Sequence, residues 1–292
     1  MSCIKKRNVS TEDKNAVIGG VLYLVATPIG NLSDLSERAI KVLSEVDFIA
    51  AEDTRNTGSM LVRFGISKPM ISYFEHNKRE RGEIIAQRLE AGESCALVTD
   101  AGTPAISDPG EDIVRLCAER GIPVSSIPGC CAAITALTLS GLSTSRFAFE
   151  GFISTAKSER NDRLIELQSE VRTMIFYEAP HRLRVTLSDL YKYFGDRKIT
   201  LCRELTKINE EVFRTTIAEA IKVYEEKEPR GEYVLVVSGA EKKKNDEEYP
   251  ADPAEHVKML MDGGMTKMEA VKAAAKARGE NKNDIYKLTL DL

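Results

Sequence analysis

The chain has 292 residues, 42% hydrophobic and 29% charged, and its 41 Lys and Arg against 45 Asp and Glu leave a net charge of −4. Such a composition excludes a disordered polymer, which could not bury enough apolar surface to offset chain entropy, and at roughly 100–200 residues per domain the length suggests two domains with a small appendage. The acidic balance excludes a global basic field, so a nucleic-acid partner must be held by local patches or shared contacts.

Residues 1–19 read as a loose N-terminal extension. Their basic start leads into no apolar stretch of signal type, and no uncharged run approaches the ~20 apolar residues of a membrane span, so a cytoplasmic protein is expected. Apolar runs at 21–25, 48–51, 70–73, 95–99 and 124–127 predict strands. Helices are predicted from Ser36 through Leu43, over 79–91, 111–120 and 131–140. The alternation, with strands apolar on both faces, predicts a parallel sheet covered by helices over 20–138. A second α/β unit, 139–240, has strands at 147–149, 173–177, 199–202, 211–215 and 233–237 and helices near 158–169, 181–193 and 217–225. Its closely spaced late strands predict a mixed sheet, and Thr216 with Glu219 predicts a capping box. A charged, Pro-bearing linker covers 241–254. The remainder, 255–292, predicts a helix opened by the capping box Thr266/Glu269, ended by Gly279, and followed by a short helix capped by Asn281, a helix-turn-helix-like pair. From 256 onward it holds seven Lys or Arg against five Asp or Glu, a mildly basic face that is equally readable as a solvated packing appendage.

Absences narrow the chemistry. There is no G-x-G, no P-loop, no H-E-x-x-H and no G-x-S-x-G, which removes dinucleotide, kinase, zinc-protease and serine-hydrolase readings. The six cysteines and three histidines show no zinc spacing, so no metal is expected and the thiols read as reduced and mostly buried.

Three loops follow strands of the first unit: T-P-I-G-N at 27–31, A-E-D-T-R at 51–55, and T-D-A-G-T-P-A-I-S-D-P-G at 99–110. Each alone reads as a turn with a helix cap. Three together, two of them acidic at the strand end, point to a ligand site at the carboxyl edge of a parallel sheet. P-G-C-C-A-A-I-T-A at 128–136 turns sharply into a helix of small residues. In the second unit, F-Y-E-A-P-H-R at 176–182 and C-R-E-L-T-K at 202–207 also follow strands, and His181 near Glu178 reads either as an acid/base pair or as a helix-start cap.

The series L-V-A-T-P-I-G-N-L-S-D-L-S-E-R-A, A-E-D-T-R, D-A-G-T-P-A-I-S-D-P-G, P-G-C-C-A-A-I-T-A-L and F-Y-E-A-P-H-R resembles the tetrapyrrole methylase superfamily and, within it, the bacterial 16S ribosomal RNA cytidine 2′-O-methyltransferases. The resemblance runs from about Gly20 to Gly239, and the terminal helix pair also resembles that family's small C-terminal domain. Cys130 departs from it, standing where the family usually has proline. The resemblance implies two α/β domains with a cleft between them, S-adenosylmethionine as donor, no metal, and a homodimer acting in the cytoplasm. The implied acceptor is a decoding-centre cytidine, cytidine 1402, of 16S RNA in the assembled small subunit. Donor contacts carry over to Ile29, Asp100, Gly102, Thr103, Cys131, Ala132, Glu178, Leu205, and Tyr233 or Val234.

The 2′-hydroxyl is a weak nucleophile, so a base is expected among Asp53, Asp100, Asp108 and Glu178. The residues do not choose; Asp53 and Glu178 stand as catalytic candidates and Asp100 is assigned to the donor. Arg55, Lys78, Arg79, Arg160, Arg163 and Arg182 are candidate phosphate contacts, though each taken singly reads as a solvated surface charge. Two rival readings remain: a tetrapyrrole C-methyltransferase, and a non-catalytic RNA-binding protein with a vestigial donor pocket.

Overall fold

The computed structural model describes residues 16–241 and 249–290. The first sheet is built by β1 (Leu22–Val25), α1 (Glu37–Glu45), β2 (Phe48–Ala51), α2 (Thr54–Arg63), β3 (Met70–Ser72), α3 (Lys78–Glu90), β4 (Cys95–Val98), α4 (Glu111–Arg120) and β5 (Val124–Ile127). All four strand pairings are parallel, in the order β3-β2-β4-β1-β5. The buried strands β2 and β4 are apolar on both faces because helices cover both sides: Leu43 and Leu61 belong to one core cluster, Ile85 and Ile113 to the other. Ser36 caps α1 as predicted, its Oγ accepting from the Ala39 N–H over 3.2 Å.

Next, α5 (Ala132–Leu139) leads into the second sheet. Its elements are β6 (Phe147–Phe152), α6 (Lys157–Leu167), β7 (Thr173–Glu178), α7 (Leu183–Phe194), β8 (Lys198–Arg203), β9 (Glu211–Thr216), α8 (Ile217–Glu226) and β10 (Tyr233–Val237). The order is β6-β7-β10-β8-β9, parallel only between β6 and β7, so the sheet is mixed as predicted. Although α5 follows the first sheet in sequence, its Ala133, Ala136 and Leu137 bury against Ile175, Cys202, Val234 and Val236 of the second. The described residues up to Ala240 form one compact unit, and those after it a second.

The second unit is three helices: α9 (Pro253–Asp262), α10 (Lys267–Arg278) and α11 (Lys282–Leu288), around Val257, Val271, Ala274 and Ile285. The Thr266/Glu269 box, the left-handed Gly279 (φ 68°) and the Asn281 cap all form. Two helices were not expected. α2 carries Gly58 and a polar first turn, and buries only Thr57 and Leu61. α9 begins inside the stretch read as linker, because Asp252 caps it and Pro253 takes the first helical position, where a missing N–H costs nothing. Among the described residues no helix is long and apolar enough to cross a membrane.

Candidate active site

Parallel pairing puts the carboxyl ends of β1, β2 and β4 on one edge of the first sheet, where α/β folds place ligands. The loops there are tied together. Thr27 and Gly102 exchange backbone hydrogen bonds of 2.9 and 3.0 Å, and Thr27 Oγ1 donates to the Thr99 carbonyl over 3.0 Å. Thr103 Oγ1 donates to the Cys130 carbonyl over 2.8 Å, bringing in the turn before α5. Because that contact is to the main chain, Cys130 keeps it despite its departure from proline.

The second sheet contributes through its register. β10 runs antiparallel to both neighbours, so its first residue, Tyr233, lies between Glu178 of β7 and Arg203 of β8. Among the described residues, the four non-glycine positions with positive φ are Ala105, Ser107, Glu204 and Thr206, all in the loops after β4 and β8. Such conformations cost about 1–3 kcal/mol each and cluster at ligand sites.

These segments enclose a cavity of about 590 Å³. All ten residues assigned to the donor line it: Ile29, Asp100, Gly102, Thr103, Cys131, Ala132, Glu178, Leu205, Tyr233 and Val234. Its wall combines apolar Ile29, Ala132, Leu205 and Val234 with the carboxylates of Glu52, Asp100 and Asp108. That combination suits a ligand that is cationic at one place and apolar elsewhere.

Of the candidate bases, Asp53 is not among the lining residues. It caps α2, accepting from the Arg55 N–H over 2.8 Å, and takes the Arg55 guanidinium on both oxygens; these bonds hold its carboxyl down at about 2. Successive residues of an extended strand end face opposite ways, and it is Glu52 that meets the cavity. Glu178 lines the wall but is buried and fully engaged, by Thr186 Oγ1, by the Ala179 N–H at 2.9 Å and by Arg182 at 3.6 Å. His181 stands exposed at the rim, so Glu178 is paired with these groups rather than with an imidazole. Asp100 Oδ2 accepts from Asn56 Nδ2 over 3.1 Å. Asp108 is half-buried, and its carboxyl is pushed up to about 7, first by burial and then by the negative charges of Glu52 and Asp100.

The six candidate phosphate contacts separate by environment. Arg160 leaves the set: it is buried and paired with Asp189, because α6 turns it inward. Arg182 also faces inward, donating to the Ile153 carbonyl over 2.6 Å besides pairing with Glu178. Lys78 bridges Glu75 and Asp112, both at 2.7 Å. Arg163 pairs with Glu150 and Glu166 but is half exposed; Arg55 is 89% exposed; Arg79 is exposed with no ion pair among the described residues.

Cys95 and Cys202 are buried strand thiols, as expected, and burial raises their pKa; Cys3 lies outside the described residues. Several wall residues were not singled out from the sequence, among them Glu52, Phe152, Tyr177 and Lys207. Glu52 and Tyr177 sat inside quoted motifs. Phe152 carries no local signal, since only the bulge at Gly151 turns it toward the cavity.

The fold and site can be set against known proteins. The profile of the Tetrapyrrole (Corrin/Porphyrin) Methylases matches residues 21–221. The chain is 46% identical to "Ribosomal RNA small subunit methyltransferase I" of Synechocystis, covering 94% of this chain and 98% of that one. It is 45% identical to the protein of the same name in Bacillus subtilis, covering 96% and 97%. A crystal structure of uroporphyrin-III C-methyltransferase from Thermus thermophilus, complexed with S-adenosyl homocysteine, superposes with a TM-score of 0.54 at 17% identity, covering 74% of this chain and 96% of that one. That last likeness is one of fold. Two α/β sheets meeting at a shared cavity, a profile spanning both, and relatives matched from end to end lead to one assignment: the chain belongs to the tetrapyrrole methylase family.

Proposed function

We infer that the protein transfers a methyl group from S-adenosylmethionine to the ribose 2′-hydroxyl of a cytidine in the 16S RNA of the small ribosomal subunit, cytidine 1402. The observation that carries this reading is the end-to-end similarity to relatives named for small-subunit ribosomal RNA methylation. The cavity supports it. When bound, the donor supplies an electrophilic methyl carbon on a sulfonium. The Glu52 and Asp100 carboxylates complement that positive charge, and Ile29, Ala132, Leu205 and Val234 suit its apolar surface. The chain's own task is to hold donor and hydroxyl in line and to receive a proton. Arg55, Arg79 and Arg163 are the exposed cations of the candidate set and are proposed to meet phosphates. The assembled subunit as substrate, a homodimer and a cytoplasmic site of action are part of the same reading, on the strength of the resemblance.

Nucleoside mass spectrometry of small-subunit RNA from a strain lacking the gene, with transfer assayed in vitro, tests it. Loss of a 2′-O-methyl mark on cytidine, restored by the purified protein and donor, is the expected result. An unchanged modification profile refutes it. Transfer to a tetrapyrrole carbon, or RNA binding indifferent to donor without transfer, would favour one of the rival readings instead.

A further inference from the structure

We propose that Asp108 is the general base of the transfer, receiving the proton of the ribose 2′-hydroxyl; this rests on the 2′-O-methyltransferase reading above. The carboxylates of the cavity wall differ in whether they carry any hydrogen bond or ion pair at all. Glu178 is engaged by Thr186, the Ala179 N–H and Arg182. Glu204 and Glu232 share the Lys207 ammonium at 2.9 and 2.8 Å. Asp100 accepts from Asn56, and Glu52 accepts from the Asp100 N–H over 3.3 Å. Asp108 accepts no hydrogen bond and joins no ion pair among the described residues, yet it lines the cavity and is half-buried.

The groups facing it do not compete for the role. Glu52 and Asp100, at the ends of β2 and β4, act on it only as like charges. From β7, the Tyr177 hydroxyl accepts from the Ala133 N–H over 3.2 Å, and burial pushes its pKa up to about 12, so it stays protonated. His181 is exposed at the rim. A base works best with its pKa near the operating pH, and burial with two neighbouring carboxylates brings Asp108 to about 7.

The turn that carries Asp108 is closely packed. Ser107 has φ 60°, and a Cβ on Gly110 (φ 148°) would stand 3.0 Å from the Ala105 nitrogen. Such closure restrains the backbone that presents the carboxylate to the cavity, and a base must be presented within reach of the proton it takes.

The step balances. The hydroxyl O–H breaks and its proton goes to the Asp108 carboxylate as the oxygen bonds the methyl carbon. The electrons of the carbon–sulfur bond go to sulfur, which becomes a neutral thioether. Carboxylate and sulfonium are neutralised together, so the cavity keeps its net charge.

The test compares the wild type, Asp108→Asn and Asp108→Glu in single-turnover methyl transfer to purified small subunits from about pH 5 to about pH 9, alongside calorimetric donor binding. The wild-type rate is expected to rise through an acidic limb and then level. Asp108→Asn should lose the limb and roughly 10²–10⁴-fold in rate with donor affinity unchanged, and Asp108→Glu should recover part of the rate with its limb. A wild-type rate and limb in Asp108→Asn would overturn the assignment while leaving the function intact. So would a fall in donor affinity matching the fall in rate, which would make Asp108 a donor ligand. A wild-type enzyme that transfers no methyl group to the subunit would overturn the function and the base together.

Discussion

Gly30 touches Lys207 across the cleft: a Cβ built on Gly30 would stand 2.4 Å from Lys207 Cγ and 2.8 Å from Thr206 Oγ1. The loop after β1 and the loop after β8 are therefore in contact over the mouth of the cavity, at a place where only a residue without a side chain fits. Gly30 also has φ 151°, which L side chains rarely adopt.

Gly30→Ala should accordingly destabilise the fold by about 1–3 kcal/mol and weaken donor binding, since Ile29, next to Gly30, and Lys207 itself both line the cavity. Urea unfolding with calorimetry of donor binding reads both effects. An alanine variant with unaltered stability and affinity would show that the cleft opens at no cost.

Asp100→Ala should weaken the donor by about tenfold or more, because a hydrogen bond to a charged group contributes about 1.5–3 kcal/mol. Asn56→Ala, which removes only the amide that holds Asp100 Oδ2, should have a smaller effect in the same direction. Equal donor affinity in wild type and Asp100→Ala would remove Asp100 from the donor site.

Asp108 also predicts a pH dependence of stability. Its folded pKa of about 7 lies above the ordinary 3.8, so the folded state holds more protons than the unfolded one between those values. Stability should therefore fall as pH rises from about 4 to about 7 and level beyond, and Asp108→Asn should flatten that slope. Unfolding midpoints measured across that range in the donor-free protein decide it; parallel profiles for the two proteins would contradict the burial argument.

Among the described residues, every one that lines the cavity precedes Ala240, so removing residues 250–292 should leave donor affinity unchanged. If the terminal helices add phosphate contacts, the truncated protein should methylate subunits more slowly and with a flatter salt dependence. An unchanged salt slope would leave α9 to α11 without a role in RNA binding.

Much of this was legible in the residues alone. Strand apolarity on both faces predicts a helix-covered parallel sheet because only burial on both sides accounts for it, and β2 and β4 are so buried. Caps such as Ser36, Asn281 and the Thr266/Glu269 box are local hydrogen bonds, readable from spacing because their partners lie within three residues. Of the ten residues assigned to the donor, seven sit in the long motifs that carry the resemblance and Leu205, Tyr233 and Val234 lie outside them, and one cavity wall collects them all.

What tertiary structure alone decided is which way each side chain faces and what already occupies it. Arg160 and Arg163 lie three residues apart on α6, yet one is buried against Asp189 and the other half exposed, because Arg160 is in line with buried Leu164 and Leu167 and Arg163 stands at the edge of that stripe. Asp53 and Glu52 are neighbours, and the strand's alternation gives the cavity to Glu52 while Asp53 closes on Arg55. Glu178, Asp100 and Asp108 are equivalent carboxylates in the sequence. Partners 44 residues away for Asp100 and eight for Glu178 engage the first two, while Asp108 is brought near two like charges and has no hydrogen-bond or ion-pair partner among the described residues. Charge state and free valence depend on contacts between distant segments, which composition and spacing do not encode.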